Sequence, residues 1–187
     1  MSWNYEHLRY EYPLTENSLV FDVGGYQGLF MRNIVDKFGC EVHVFEPVPE
    51  FFSDIMKNIR PKVKVINAGL SDSTRIAKIN VCADGTSLYG MVGVTIPVNL
   101  YSLSDYMISE EIEEVDLIKI NIEGDEYQLL NHMIDTGLVH LFKYIQIQYH
   151  SFIPDSVRLR NEITEKLKLT HHVQWCYDFI WESWERK

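Results

Sequence analysis

The stretch that decides the fold is SLVFDVGGYQGLF, residues 18 to 30. Its first half contains the apolar run Leu19 to Phe21, which is typical of a fully buried strand. Its second half, Gly24 to Gly28, is a glycine-rich turn that leads into a helix-like segment. The first amides of a helix point outward without partners, so they offer hydrogen bonds and a positive partial charge. This stretch therefore predicts a strand, a turn and a helix start that together bind a ligand.

The spacing of the glycines argues against a nicotinamide dinucleotide. The dinucleotide fingerprint has glycine at its first, third and sixth positions. Counting from Gly24 puts Tyr26 and Leu29 at the second and third of these places. The pattern present is D-x-G-x-x-x-G, which begins at Asp22 and ends at Gly28. A carboxylate at the strand end suits a ligand with an ammonium and a sulfonium group, although an ordinary strand-to-helix turn has the same pattern.

Composition and charge limit the class of protein and of partner. The chain has 187 residues, 46% of them hydrophobic and 24% charged, which is typical of one soluble globular domain. No apolar run is long enough to span a membrane, and the amino terminus does not resemble a secretory signal. Seventeen basic and 27 acidic side chains give a net charge of −10, which disfavours a nucleic-acid partner. The three cysteines are far apart, so we expect a reducing, cytoplasmic compartment.

The rest of the chain alternates between strand and helix patterns, as expected for an α/β sheet with helical crossovers. We expect residues 1–17 to form a terminal segment or lid and residues 18–187 a single domain. A β-hairpin insertion is predicted near residues 74–98, with Ser87 and Tyr89 at its tip as substrate contacts. Ser102 is predicted to cap a short helix. Strands are predicted at 41–46, 62–68, 115–122 and 143–149, helices at 29–38, 50–58, 125–136 and 155–167, and two aromatic strands around Tyr177.

Glu46 ends the second predicted strand, next to the glycine turn. A carboxylate at that place can accept hydrogen bonds from both hydroxyls of a ribose. It therefore indicates a nucleoside ligand but does not identify which nucleoside. The turn from Gly69 to Asp72 follows the third predicted strand and is small enough for an adenine ring to lie against. A plain surface loop explains that turn nearly as well.

The stretch VDLIKINIEGDE, residues 115 to 126, places polar side chains on a strand that should be buried. Lys119, Asn121 and Glu123 share one face by the period-two rule. Because burying an unpaired ammonium is costly, we favour a site role for Lys119 and Asn121. The alternatives are that Lys119 belongs to a buried ion pair, and that Glu123, Asp125 and Glu126 only stabilise the start of the next helix.

His150 follows the next predicted strand, at the same edge of the sheet as Asn121. Its imidazole can exchange a proton near neutral pH, which makes it a candidate base. A histidine with only a packing role is equally consistent with the sequence.

Together these stretches resemble the FkbM family of S-adenosylmethionine-dependent methyltransferases. The resemblance implies an α/β, Rossmann-like class I fold whose mostly parallel seven-stranded sheet has an antiparallel C-terminal strand. It also implies an O-methyltransferase that transfers a methyl group to a hydroxyl of a small molecule or glycan. The matching stretches are VFDVGGYQG (20 to 28), VHVFEPVP (42 to 49), VINAGLSD (65 to 72), SLSDYM (102 to 107) and VDLIKINIEGDE (115 to 126).

The resemblance also implies roles for individual residues. His150 is the first candidate for the base and Glu123 the second, while Lys119 and Asn121 would orient the substrate or the methionine end of the cofactor. Nothing in the spacing requires a metal. The acceptor would be held by the amino-terminal segment, the hairpin, the loop after His150 or a second copy of the chain in a homo-oligomer. The cofactor S-adenosylmethionine, with S-adenosylhomocysteine as product, would be held by Asp22, Gly24, Gly25, Gly28, Glu46, Pro47, Ala68, Gly69 and Leu70.

Two positions depart from the family pattern. Asn121 stands where the family usually has Asp, and Gln148 stands where Glu is common. A catalytically inactive module that binds S-adenosylmethionine or a protein partner is therefore an alternative. A nicotinamide oxidoreductase is a second alternative, which Glu46 would permit but the failed fingerprint opposes.

Overall fold

Ten strands and five α-helices make up the part of the chain that the computed structural model describes, residues 6–81 and 94–187. Short 3-10 helices lie at Glu6–Tyr10 and Leu138–Leu141. The α-helices are α1 (Leu29–Phe38), α2 (Pro49–Lys57), α3 (Leu103–Ser109), α4 (Glu126–Asp135) and α5 (Ser156–Leu167). The strands are β1 (Leu19–Val23), β2 (Glu41–Phe45), β3 (Val63–Ile66), β4 (Gly69–Ser71), β5 (Arg75–Val81), β6 (Val94–Ser102), β7 (Val115–Ile120), β8 (Phe142–Ile147), β9 (His171–Tyr177) and β10 (Trp181–Arg186).

A seven-stranded sheet in the order β3-β2-β1-β7-β8-β10-β9 forms the centre of the molecule. Neighbouring strands from β3 to β8 are parallel, and β10 runs antiparallel to both β8 and β9. The predicted Rossmann-like arrangement, mostly parallel with an antiparallel strand near the C-terminus, is confirmed. Because β1 and β7 are central neighbours, the loops that follow them meet at one edge of the sheet.

The predicted hairpin is present as β5 and β6, which pair antiparallel from Arg75 with Leu100 to Val81 with Val94. The sequence prediction was incomplete, because β4 adds to β6 in parallel and completes a second, three-stranded sheet. The stretch predicted as a turn at residues 69–72 is therefore mostly strand. Its pairing partner lies about thirty residues further along the chain, so no local pattern could reveal it. Ser87 and Tyr89 lie outside the described residues.

Helix α1 has the bounds that its apolar spacing predicts. Phe30, Met31 and Ile34 are buried between this helix and the sheet. The helix ends at Gly39, whose φ of 65° is easily adopted by glycine and whose N–H donates to the Val35 carbonyl. At α3, the Ser102 hydroxyl accepts the Asp105 amide at 3.4 Å, which confirms the predicted serine cap.

In the amino-terminal segment, Tyr10, Tyr12 and Leu14 pack on the face of the sheet that α1 covers. Tyr12 is buried, and its hydroxyl lies 2.9 Å from both the Ser183 hydroxyl and the Gln146 side-chain amide. Tyr10 stacks on Phe30, with ring centroids 5.7 Å apart. The part of the segment near Tyr12 therefore docks on β8 and β10, while a lid role for the segment stays a prediction.

Gly24 has no room for a side chain. Its φ is 88°, and a Cβ there would lie 1.9 Å from the Asn121 carbonyl oxygen. We expect Gly24→Ala to lower the free energy of unfolding by more than about 3 kcal/mol, because β1 and β7 would have to separate. Gly39→Ala is the matched control: its φ is also positive, but no heavy atom lies within 4 Å of the added carbon.

Gly39→Ala should lower the free energy of unfolding by only about 1 kcal/mol, through backbone strain. Urea unfolding monitored by circular dichroism measures both variants. Equal losses for the two variants would contradict the steric explanation.

Candidate functional site

The carboxyl ends of β2, β1, β7 and β8 lie side by side, and the candidate site is built on the loops that follow them. This is the edge at which open α/β sheets place their ligands. The structure brings the predicted residues of these four loops to this one edge. They are Asp22, Gly24, Gly25, Gly28, Glu46, Pro47, Lys119, Asn121, Glu123 and His150.

Lys119 and Asp22 form a buried ion pair between β7 and β1. They are register partners, and the Lys119 Nζ lies 2.9 Å from the Asp22 Oδ1. The same ammonium donates to the Gly24 carbonyl at 2.6 Å. The two side chains are 5% and 0% exposed, so the cost of burying the charge is met by the pair and the carbonyl together. The predicted buried ion pair of Lys119 thus exists, and its partner is itself a candidate cofactor residue.

Two acceptor atoms at this edge of the sheet have no donor within residues 6–81 and 94–187. They are the Asp22 Oδ2 and the Asn121 Oδ1, and both are buried. An unsatisfied buried acceptor costs about 1–3 kcal/mol, so such atoms are rare in native structures. These oxygens, at the ends of neighbouring strands, suit a ligand with N–H donors, such as an ammonium group.

The glycine turn folds back onto the end of β2. The Gly24 and Gly25 amides both donate to the Phe45 carbonyl, at 3.0 and 3.1 Å, and the Gly28 amide donates to the Gly25 carbonyl at 2.7 Å. Gly25 faces Val44, where a Cβ would lie 2.4 Å from the Cγ1 atom. The close approach of β1 and β2 is therefore what requires glycine at position 25.

Glu46 already holds two backbone amides. Its Oε2 accepts the Tyr26 amide at 2.7 Å and its Oε1 accepts the Val48 amide at 2.8 Å. Burial raises the pKa of this carboxyl to about 7, although the two amides act in the opposite direction. A carboxylate offers about four lone-pair sites, so two remain for ribose hydroxyls. Sequence reasoning did not foresee that Glu46 also fixes the glycine turn.

The candidate adenine contacts lie along β4. The side chains of Ala68 and Leu70 are 0% and 1% exposed, so they belong to the core. A Cβ at Gly69 would lie 2.7 Å from Leu100 and 3.7 Å from Pro47. Leu100 and Pro47 therefore fill the space beside Gly69, and contact of residues 68–70 with adenine stays a prediction.

The turn after β7 carries the acidic residues of the site. Glu123 has φ of 53°, a left-handed conformation that is uncommon for a residue with a side chain and costs about 1–3 kcal/mol. Its Oε1 lies 3.2 Å from the His150 Nε2. Such strain is often found at functional sites, so this turn is a second indication of function at this edge.

His150 lies between two carboxylates. Glu126 approaches its Nδ1 at 3.0 Å, while Glu123 approaches its Nε2. Burial lowers the pKa of the imidazole, but the hydrogen bonds and charges of Glu123 and Glu126 outweigh burial and raise that pKa to about 9. His150 is therefore protonated at neutral pH in the free protein.

Sequence reasoning underrated Glu126, which it considered only as a helix-start residue. The side chain is fully buried and reaches the loop after β8. Helical spacing could not have signalled this, because Glu123 has a left-handed φ and α4 begins only at Glu126. Asp125 instead accepts the Ser71 hydroxyl at 2.8 Å, and burial raises its pKa.

Two further properties concern the described residues as a whole. In residues 6–81 and 94–187, no group of three histidine, cysteine or acidic side chains is arranged to hold a metal ion. Within the same ranges, every helix is too short or too polar to cross a bilayer.

The sequence matches one family and one curated relative. The model of the Methyltransferase FkbM domain matches residues 22–172. The chain is 25% identical over 162 residues to 31-O-demethyl-FK506 methyltransferase FkbM from Streptomyces tacrolimicus, in a match that covers 66% of this chain and 62% of that protein. The chain thus spans less than two thirds of the length of this relative.

Solved structures share the fold at low sequence identity. SMU.1697c from Streptococcus mutans, solved in complex with SAH, has a TM-score of 0.60 and 10% identity over 97% of this chain and 96% of its own. TrmK from M. capricolum, solved with S-adenosyl-homocysteine, has a TM-score of 0.56 and 9% identity over 100% of this chain and 69% of its own. An rRNA-methylase structure from Clostridium thermocellum has a TM-score of 0.57 and 12% identity, covering 92% and 88%. At these identities the likeness concerns the fold.

The ion pair of Lys119 predicts a large effect on stability. Lys119→Met should lower the free energy of unfolding by about 3–5 kcal/mol, because it leaves the Asp22 carboxylate buried and unpaired. The double variant Asp22→Asn/Lys119→Met should recover at least about 1 kcal/mol of that loss. Lys143→Met is the control, since Lys143 lies 4.0 Å from Asp116 with 44% of its side chain exposed.

Lys143→Met should lower the free energy of unfolding by less than about 1 kcal/mol. Urea unfolding of the variants completes a double-mutant cycle for the pair. If the losses of stability in the single variants Asp22→Asn and Lys119→Met add up to the loss in the double variant, the Lys119 and Asp22 side chains do not stabilise each other.

Proposed function

The chain belongs to the Methyltransferase FkbM domain family, and we propose that it is an S-adenosylmethionine-dependent O-methyltransferase acting on a hydroxyl of a small molecule or glycan. The observation that carries the O-methylation is the position of the His150–Glu123 pair. A group able to accept a hydroxyl proton lies at the same edge of the sheet as the glycine turn and the unsatisfied acceptors. Family membership supports methyl transfer in general, and this pair supports a hydroxyl as the acceptor.

The residues present fit the cofactor that the family uses. S-Adenosylmethionine supplies a methyl group activated by the sulfonium. Asp22 and Asn121 would accept hydrogen bonds from the ammonium of its methionine end, since each has an oxygen without a donor. Glu46 would bind the ribose hydroxyls with its remaining lone pairs, and the backbone at residues 68–70 would lie against adenine. Lys119 would hold the Asp22 carboxylate in place.

His150 is the proposed base. Its Nε2 must lose the proton that it holds at neutral pH before it can accept one from the acceptor hydroxyl. Because the methyl group is already activated, most of the acceleration would come from aligning the hydroxyl with it. Glu123 is the second candidate, since its carboxylate shares the hydrogen bond with Nε2.

The substrate class is supported by charge and by the curated relative. That relative is named for O-methylation of a demethylated FK506. The net charge of −10 disfavours a polyanionic acceptor, so a neutral hydroxyl compound or glycan fits better. The replacement of an acid by Asn121 leaves the His150–Glu123 pair in place, which favours an active enzyme over a binding module. A cytoplasmic location and a homo-oligomer stay predictions.

Binding of the cofactor product tests the first half of the proposal. Isothermal titration calorimetry with S-adenosylhomocysteine should show saturable binding to the full chain. Asp22→Ala and Glu46→Gln should each weaken it about tenfold or more, because each removes a hydrogen bond to a charged group. Glu50→Ala is the control, since Glu50 is exposed in the first turn of α2. Absence of binding to the parent chain would remove the methyltransferase proposal.

The pH dependence of methyl transfer tests the base. With radiolabelled S-adenosylmethionine and a panel of hydroxylated small molecules and glycans, the acceptor is first identified by label transfer. The rate on that acceptor should rise about tenfold per pH unit above pH 7 and level off above the His150 pKa of about 9. The sign follows because the raised pKa keeps the base protonated, and therefore inactive, below that pH.

His150→Gln should lower the rate about 100-fold or more and remove this rise. His172→Gln is the control, because this exposed histidine lies on β9 and pairs with Glu185. If the rate of the parent protein is constant from pH 7 to 9, the base is Glu123 instead of His150.

A further inference from the structure

Glu126 is a fully buried acidic side chain that ties together the two loops carrying the proposed base and its partner. Its Oε1 accepts the backbone amide of His150 at 2.8 Å and lies 3.0 Å from the His150 Nδ1. Its Oε2 accepts the Gly124 amide at 2.8 Å. One carboxylate therefore fixes the turn after β7 and the loop after β8 relative to each other.

We propose that Glu126 is the positioning residue for His150: it accepts a hydrogen bond from Nδ1–H and thereby presents Nε2 to the acceptor hydroxyl. The inference rests on the proposed function, in which His150 takes that proton. Glu126 would touch neither the cofactor nor the acceptor, and would act only through the orientation and the tautomer of the imidazole.

The two carboxylates that face the ring favour one tautomer. A carboxylate has only acceptor atoms, so Glu126 and Glu123 each accept a hydrogen bond from the protonated ring. A neutral imidazole has one donor and one acceptor nitrogen, so one of these two contacts loses its hydrogen. We expect Nδ1–H to be kept, because Glu126 is the closer and the fully buried partner, and the lone pair then lies on Nε2 beside Glu123.

The other groups around His150 contact its backbone or lie beside its ring. The Tyr127 hydroxyl donates to the His150 carbonyl at 2.9 Å, and the Phe152 ring lies 5.5 Å from the imidazole. The carboxylates that face the imidazole are Glu123 at Nε2 and Glu126 at Nδ1. Only one of the two, Glu126, is fully buried, so solvent screens its effect least.

A helix-start role alone would not require this arrangement. An acidic residue in the first turn of α4 is stabilising by itself, and its contact with the Gly124 amide completes that role. The contacts of Oε1 with His150 are additional to it. A variant that disturbs these contacts while keeping the side-chain volume separates the two roles.

Glu126→Gln is that variant. Its single carbonyl oxygen can face either His150 or Gly124, and its NH₂ group then meets an N–H donor on the other side. Nitrogen-15 NMR of the histidine rings in the full chain measures the outcome, with the His150 signals assigned by their loss in His150→Gln. In the parent, the neutral ring should carry its proton on Nδ1 and titrate at about 9.

In Glu126→Gln the titration midpoint should fall by about 1 unit or more, and part of the neutral ring should move its proton to Nε2. Glu123→Gln is the matched control: it removes the other carboxylate, so it should lower the midpoint while the neutral ring keeps Nδ1–H. Glu126→Asp retains the charge and should keep a higher midpoint than Glu126→Gln.

An unchanged midpoint and tautomer in folded Glu126→Gln would overturn the proposal. If Glu126→Gln does not fold, the parent protein provides the test. A neutral His150 ring that carries its proton on Nε2 would contradict the proposed hydrogen bond from Nδ1–H to Glu126. Failure of the proposed function has a different signature: S-adenosylhomocysteine would not bind to the parent, whatever the ring titration showed.

Discussion

The rest of the site depends on the buried contact of the Lys119 ammonium with Asp22 and with the Gly24 carbonyl. An ammonium in the middle of a sheet is tolerated only where its charge and its donors are satisfied, so β1 and β7 must keep this register. The contact fixes the first residue of the glycine turn against β7. The turn can then direct its amides at the Phe45 carbonyl, and β2 brings Glu46 to the Tyr26 amide. One ion pair therefore positions the parts of the site on three strands.

The charges at this edge of the sheet favour a cationic ligand. Asp22 pairs with Lys119, Glu123 and Glu126 pair with His150, and Glu46 is a fourth carboxyl group at this edge. Burial raises the pKa of Glu46 to about 7, so that group is only partly ionised in the free protein. A ligand that brings positive charge to the neighbouring strand end would favour the ionised form of Glu46, which is the form with the most acceptor capacity. Cofactor binding and the charge state of Glu46 should therefore be coupled.

Local patterns were enough to predict most of the fold. The bounds of α1 follow from its apolar spacing and from Gly39, and the strong apolar run at residues 115–122 predicts β7. What sequence reasoning missed depends on partners far along the chain. Strand β4 exists because β6 pairs with it, and the Tyr26 amide held by Glu46 belongs to the loop after β1. The candidate residues were found because their chemistry is visible in the sequence, but the partners that assign their roles are set by tertiary structure.

Asn121 shows how such a role changes once the partners are known. From the sequence alone, an amide in place of an acid suggests that a base has been lost. In the structure its Oδ1 is buried and has no donor among the described residues, so the position still offers an acceptor to a ligand. The proposed proton acceptor is instead His150, which contacts Glu126 and Glu123 through its two ring nitrogens. The amide has one acceptor oxygen where an acid has two, and that oxygen can accept a hydrogen bond from an ammonium group. An amide at this position is therefore compatible with both cofactor binding and proton transfer.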